Sequence, residues 1–116
     1  MARSVTEVIH DHLERRLCGD IEGDLRENYH DEVVILSGFG TYRGHDGVRQ
    51  SADLLSQAVA GGAFTYNRTV IEGSYGFLEW TAADAETVVL DGADSFHVRD
   101  GKIVEQTIHY TAWPRD

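Results

Sequence analysis

Residues Val88–Tyr110, VVLDGADSFHVRDGKIVEQTIHY, decide the fold. Counted alternately, Val88, Leu90, Gly92, Asp94, Phe96 and Val98 form one face of a long strand, while Thr87, Asp91, Ser95, His97 and Arg99 form the other. That is the two-residue period of a half-buried strand. The strand turns at Arg99-Asp100-Gly101, and two turn geometries are open. A two-residue Asp-Gly turn puts Ile103, Glu105, Thr107 and His109 on the face of Phe96 and Val98; a three-residue loop with Gly101 as a left-handed bulge puts Val104, Gln106, Ile108 and Tyr110 there. The second continues the apolar surface and is the register expected. It sets Asp94 across from Gln106 on a concave face otherwise built from Val88, Leu90, Phe96, Val98, Val104, Ile108 and Tyr110. A carboxylate in such a wall is costly unless it is hydrogen-bonded, protonated or lining a polar pocket.

Upstream, Ser4 with Glu7 is a capping-box pattern, followed at helical spacing by Val5, Val8, Ile9, His12, Leu13 and Leu17 until Gly19. Asp20 caps a shorter second helix with Ile21, Leu25 and Tyr29 on one face. Val33–Leu36 reads as a strand, and Gly38, Gly40 and Gly44 mark an irregular passage after it. Asp46 is the expected cap of a third helix with Val48, Ala52, Leu55 and Val59 buried, stopped by Gly61-Gly62. Two strands follow, Phe64–Glu72 and Tyr75–Ala83, turning at Gly73-Ser74. In the second, Leu78, Trp80 and Ala82 are placed inward; the opposite facing would bring Tyr75, Phe77 and Glu79 into the concavity and give Arg68 and Glu79 a role. The expected order is α-α-β-α-β-β-β-β, an α+β domain spanning residues 1–116 with three N-terminal helices against a curved antiparallel sheet.

The 116 residues suit one domain. Twenty acidic against ten basic residues give a formal charge of −10, and no Lys/Arg cluster interrupts it. This argues against nucleic acid or an anionic membrane as partner and makes a small neutral or cationic ligand easier to accommodate. The lone Cys18 fits a reducing compartment, and the expectation is a cytoplasmic protein without signal peptide or membrane span. Nucleotide cofactors are not indicated, because Ser37–Gly44 lacks the phosphate-loop spacings. A metal is not expected either, since no cysteine pair or HExxH is present, and His10 and His12 diverge on their helix.

Asp94 is the leading candidate for chemistry. Desolvation should raise its pKa, and a neutral acid can donate to a carbonyl or enolate oxygen. The bland alternative is a carboxylate that merely accepts bonds from Gln106 or a tyrosine. His12, inside the apolar stripe of its helix, should face the sheet, either as base or proton shuttle toward Asp94 or as a buried structural histidine. Tyr29, Gln106 and Tyr110 offer polar groups to a ligand, and Trp80 and Phe96 offer apolar walls. His97 and His109 project from the outer face, and His30 and His45 lie at element boundaries.

The chain resembles the nuclear transport factor 2-like superfamily and, within it, the SnoaL-like group. The resemblance is carried by Gly19-Asp20-Ile21-Glu22, Tyr29-His30-Asp31-Glu32-Val33, Gly44-His45-Asp46-Gly47-Val48, Leu78-Glu79-Trp80-Thr81 and Asp100-Gly101-Lys102-Ile103 in that order. It implies a cone-shaped sheet with a pocket in its mouth and a homodimer through the outer sheet face, where Ser95, His97, Ile103, Glu105, Thr107 and His109 mix polar and apolar groups. The ketosteroid isomerases of this superfamily hold an oxyanion-binding aspartic acid where Asp94 stands, a helix-one tyrosine where His12 stands, and aromatic residues matched by Tyr29 and Tyr110. Their general base falls on Ser37, which cannot serve. The catalytic carboxylates that SnoaL-type cyclases and limonene-epoxide hydrolases carry on the last strand are missing at Gln106, Ile108 and Tyr110. Neither mechanism transfers intact, and the fold alone does not name a function. The resemblance and Asp94 together imply a cofactor-independent isomerase, cyclase or hydratase/dehydratase acting on a small apolar carbonyl or hydroxyl compound. The rival is a non-catalytic ligand-binding or dimerisation domain of the same fold.

Overall fold

The computed structural model describes residues 2–115. Three helices, α1 (Val5–Leu17), α2 (Ile21–Asn28) and α3 (Gly44–Ala58), accompany strands β1 (Tyr29–Ser37), β2 (Gly40–Arg43), β3 (Ala63–Glu72), β4 (Tyr75–Ala83), β5 (Thr87–Arg99), β6 (Lys102–His109) and β7 (Trp113–Pro114). Both bonds of the Ser4–Glu7 capping box form, and α1 buries Val8, Ile9, His12 and Leu13. Asp20 caps α2 by accepting from the Gly23 amide. Helix α3 begins two residues before the expected cap, at Gly44, and Arg43 gives no side-chain cap. Asp46 instead lies in the first turn, where a carboxylate complements the helix dipole, and it takes a 2.6 Å bond from Arg49.

The strand order is β2-β1-β6-β5-β4-β3, with β7 added to β5. The sheet is mixed, not wholly antiparallel: β1 runs parallel to β6, and every other pairing is antiparallel. The meander from β3 to β6 alternates direction at each turn, so its last strand returns alongside β1 with the same polarity. The glycine passage is also more ordered than expected. Ser37 pairs with Gly40, and Thr41, Tyr42 and Arg43 continue a hairpin beside β1.

Two bulges correct the faces read from strict alternation. Trp80 pairs with Gly92 but Ala82 with Val89, so β5 carries one extra residue at Leu90-Asp91. Val89 is therefore fully buried, while Leu90, expected inward with Val88, is 68% exposed. At the hairpin, Arg99 pairs with Lys102, which is the two-residue turn and not the three-residue loop. Asp100 and Gly101 take φ of 52° and 76°, the left-handed pair that such a turn requires. The extra residue sits in β6 instead: Val98 pairs with Ile103 and His97 with Glu105, leaving Val104 as the bulge. Ile103 is thus buried with Val98, not part of the outer face, and Gln106 still turns inward, opposite Phe96. Asp94 pairs with Ile108, diagonal to Gln106 rather than directly across from it.

Leu78, Trp80 and Ala82 are buried on the concave side, as placed. Arg68 and Glu79 pair across the exposed face, away from the concavity. Helix α1 lies over this surface with Ile9 on Gly76, where an added Cβ would sit 3.4 Å from Ile9 Cδ1, and with the Leu13 carbonyl accepting from the Tyr66 hydroxyl. The core is the layer between them, chiefly Val8, Ile9, Leu13, Leu25, Val33, Ile35, Leu78, Phe96, Val98 and Ile103.

Candidate active site

The inward face of β5 delivers Asp94 to the concave wall between β4 and β6. Trp80 Nε1 donates to Asp94 Oδ1 at 3.0 Å, and Gln106 Nε2 donates to Oδ2 at 3.2 Å. Gln106 is oriented from behind: the Tyr29 hydroxyl donates to its Oε1, which turns the amide nitrogen toward Asp94. Burial pushes the Asp94 carboxyl up, against the opposing pull of Trp80, His12, Gln106 and Arg16. Burial likewise raises the Tyr29 phenol and pushes Tyr66 up to about 12, so both are neutral hydroxyls at pH 7. Asp94 is nevertheless only half-buried, whereas Gln106 and Trp80 are buried.

Facing this wall is a second polar group built on the helices. His12 Nδ1 lies 2.8 Å from Asp24 Oδ2, and Arg16 Nε, one helical turn further along α1, donates to the same oxygen at 2.6 Å. Asn28 Nδ2 donates to Asp24 Oδ1 at 2.8 Å. Burial alone would raise Asp24, but His12, Arg16 and Asn28 outweigh it and hold the carboxyl below its usual range. An ionised Asp24 accepts only, so His12 donates through Nδ1–H and a neutral ring keeps its lone pair on Nε2. The ring meets Tyr29 and Phe96 edge-on, with centroids 5.7 and 5.3 Å away. Its Nδ1 partner is Asp24 and not Asp94.

At the mouth, Phe64, Trp80, Tyr110 and Phe39 form a row with successive centroids 5.8, 5.7 and 5.3 Å apart. Two surface clefts lie elsewhere. One, of about 350 Å³, is lined by Glu22, Leu25, Arg26, Asp31, His45 and Arg49, where Arg49 is already paired to Glu22 and Asp46. The other, of about 240 Å³, lies between the N-terminus and the β5–β6 turn.

A family model for the SnoaL-like domain matches residues 9–106. The chain belongs to the SnoaL-like domain family. Among solved structures, a SnoaL-like chain from Mesorhizobium loti named for a polyketide cyclase is similar, with 19% identity, TM-score 0.71 and coverage of 93% of this chain and 100% of that one. TerC, co-crystallized with polyporic acid, is similar at 21% identity and TM-score 0.74, covering 92% of this chain and 91% of its own. A de novo designed protein with a curved β-sheet reaches TM-score 0.77 at 17% identity, covering 96% and 88%. These likenesses concern the backbone, and a shared fold does not by itself name an activity. No curated protein matches the sequence.

In this SnoaL-like chain the residues singled out from sequence, Asp94, His12, Tyr29, Trp80, Phe96, Gln106 and Tyr110, form one connected cluster between α1 and the sheet, most of it buried. His97 pairs with Glu105 and stacks on Tyr75 on the outer face, and His109 pairs with Asp91. The helix-borne residues Arg16, Asp24 and Asn28 were not anticipated. A signal existed: Asp24 and Asn28 follow Ile21 and Leu25 at three-residue steps, and Arg16 follows His12 at four, so all project near the apolar stripes.

Gly92 is what lets Trp80 reach Asp94. A Cβ there would lie 2.3 Å from Trp80 Cδ2 and 2.4 Å from Cε2. Gly92→Ala is expected to displace the indole, break its bond to Asp94 and cost about 1–3 kcal/mol of stability through overpacking. Urea denaturation together with the Trp80 indole N–H resonance checks it, and an unshifted resonance with unchanged stability would refute it.

Proposed function

We propose that the chain is a cofactor-independent acid–base enzyme of the isomerase, cyclase or hydratase/dehydratase kind, acting on a small, largely apolar carbonyl or hydroxyl compound in the concavity. The carrying observation is the half-buried Asp94 carboxyl, held by one donor on each oxygen and pushed up by burial. In its neutral form it can accept from Trp80 and Gln106 while donating its own proton to a developing oxyanion. His12, anchored through Nδ1 on Asp24, supplies Nε2 as the base. Trp80, Phe96 and Tyr110 provide the apolar walls, and Tyr29 acts through Gln106. Family membership and neighbours named as polyketide cyclases support a cyclase-type pocket without identifying the substrate.

The test is incubation with a panel of carbonyl and hydroxyl compounds, read by mass spectrometry for product. Conversion supports the enzyme; saturable binding with no product across the panel favours a non-catalytic binding protein. The row in which Tyr110 packs against Trp80 and Phe39 gives that second reading its footing, because it narrows the mouth.

We also propose a homodimer through the outer sheet face. Val70, Tyr75 and Phe77 leave 44%, 62% and 39% of their surface exposed there, an apolar group rimmed by Arg68, Glu72 and Glu79 as interface centres are by polar residues. Phe77→Glu is expected to convert a dimeric mass to a monomeric one in light scattering at micromolar concentration. A monomeric parent protein would overturn the proposal.

A further inference from the structure

The proposed chemistry leaves Arg16 without a role. It follows His12 by one helical turn on α1, and Ile9, Leu13 and Arg16 advance along β4 from Gly76 toward the mouth. Arg16 is therefore the cation that a molecule entering from the Trp80–Tyr110 rim meets before it reaches His12. Its side chain retains 21% of its surface, and its bond to Asp24 is made through Nε. That bond engages one edge of the guanidinium. Among the described residues the terminal Nη groups make no hydrogen bond, and no fully buried side-chain nitrogen is left without a partner, so they stay accessible.

A guanidinium locked along one edge by a buried carboxylate offers its remaining N–H groups as a preset fork, and a planar carboxylate fits that fork with two parallel bonds. The wall opposite is aromatic. Resting on the pocket proposed above, we propose that Arg16 makes the concavity selective for a small aromatic or alicyclic carboxylate, whose anionic group sits on the guanidinium while its apolar body lies against Trp80 and Phe96. This narrows the ligand class beyond a neutral carbonyl or hydroxyl compound. The formal charge of −10 opposes an anion at long range, but at physiological salt that field decays over about 8 Å, whereas the Arg16 contact is direct.

The experiment uses the full chain carrying Trp113→Phe, which leaves Trp80 as the sole tryptophan reporter. Quenching is titrated with 1-naphthoate and with its neutral isostere 1-naphthamide. The acid is expected to bind at least ~10-fold more tightly than the amide, with Arg16→Met abolishing the difference and Arg16→Lys, which keeps charge but loses the fork, retaining part of it. If Arg16→Met does not fold, the arginine Nε–Hε NMR signals of the parent chain decide: the Arg16 signal should move with naphthoate and not with naphthamide. Equal affinity for acid and amide, a preference surviving in Arg16→Met, or no saturable naphthoate binding at millimolar concentration would each overturn the inference. Its failure is separable from that of the enzyme reading. The acid preference is a binding property expected to persist in Asp94→Asn, and turnover of neutral compounds without acid preference would sink only the Arg16 assignment.

Discussion

Asp24→Ala is expected to destabilise the fold by about 3–5 kcal/mol, the range for removing one partner of a buried charge pair. Asp24 is fully buried and accepts from His12, Arg16 and Asn28 at 2.8, 2.6 and 2.8 Å. Alanine leaves a half-buried guanidinium and the buried His12 ring without their acceptor, removes one of the two acceptors of Asn28 Nδ2, and opens a void beneath α1. The same group predicts a pH dependence. The folded-state pKa of Asp24 is lowered, so its contribution is fully present above the unfolded value of about 3.9 and is lost as pH falls through the lowered folded value. Urea unfolding of parent and variant between pH 7 and pH 3 checks both statements. The gap between the two curves should be widest at neutral pH and close toward the acid end. A loss under about 1 kcal/mol at pH 7 would show that His12 and Arg16 find other partners.

The second large effect falls on activity. Asp94→Asn is expected to lower turnover of any substrate found by about 10²–10⁴-fold, the usual contribution of a positioned acid or base. Asparagine keeps the shape but cannot deliver a proton. It also turns an amide NH₂ toward either Trp80 Nε1 or Gln106 Nε2, both of which are donors. Because burial raises the Asp94 pKa and the protonated form is the working one, activity should fall as pH rises through that raised value, and this alkaline limb should vanish in the variant. A carbon-detected titration of the Asp94 carboxyl gives the same quantity without a substrate, and an ordinary or depressed value would remove the oxyanion role. For folding, the sign is opposite to that of Asp24. A raised carboxyl contributes its stability below about pH 3.9 and loses it as pH rises through the folded value, so holding Asp94 ionised in this wall opposes folding at neutral pH.

How much of this was legible beforehand depends on the range of the interactions involved. Ser4–Glu7, Asp20 and the Gly73-Ser74 turn act between residues a few positions apart, and each was readable from spacing. Asp94 was legible because a carboxylate interrupts an apolar face. The inward placement of Gln106 came out correctly although the turn beside it did not, because the bulge at Val104 restores, behind a two-residue turn, the facing that the three-residue loop was expected to give. Asp24 and Arg16 stayed hidden because charged helix residues ordinarily lie in water, and only their joint burial with His12 makes them part of the site.

By itself the sequence determined the three helices, the main strands, the buried side of β4 and the identity of the residues gathered in the concavity. Capping, periodicity and turn chemistry are local and leave little choice. The tertiary structure alone decided the parallel pairing of β1 with β6, the hairpin at β2, and the bulges at Leu90-Asp91 and Val104 that exchange Leu90 for Val89 in the core. It also decided that Asp24, and not Asp94, is the partner of His12. Those outcomes depend on how a curved sheet closes over α1 and α2, where one extra residue reverses every side chain beyond it and a buried charge takes whichever partner the packing brings within about 3 Å.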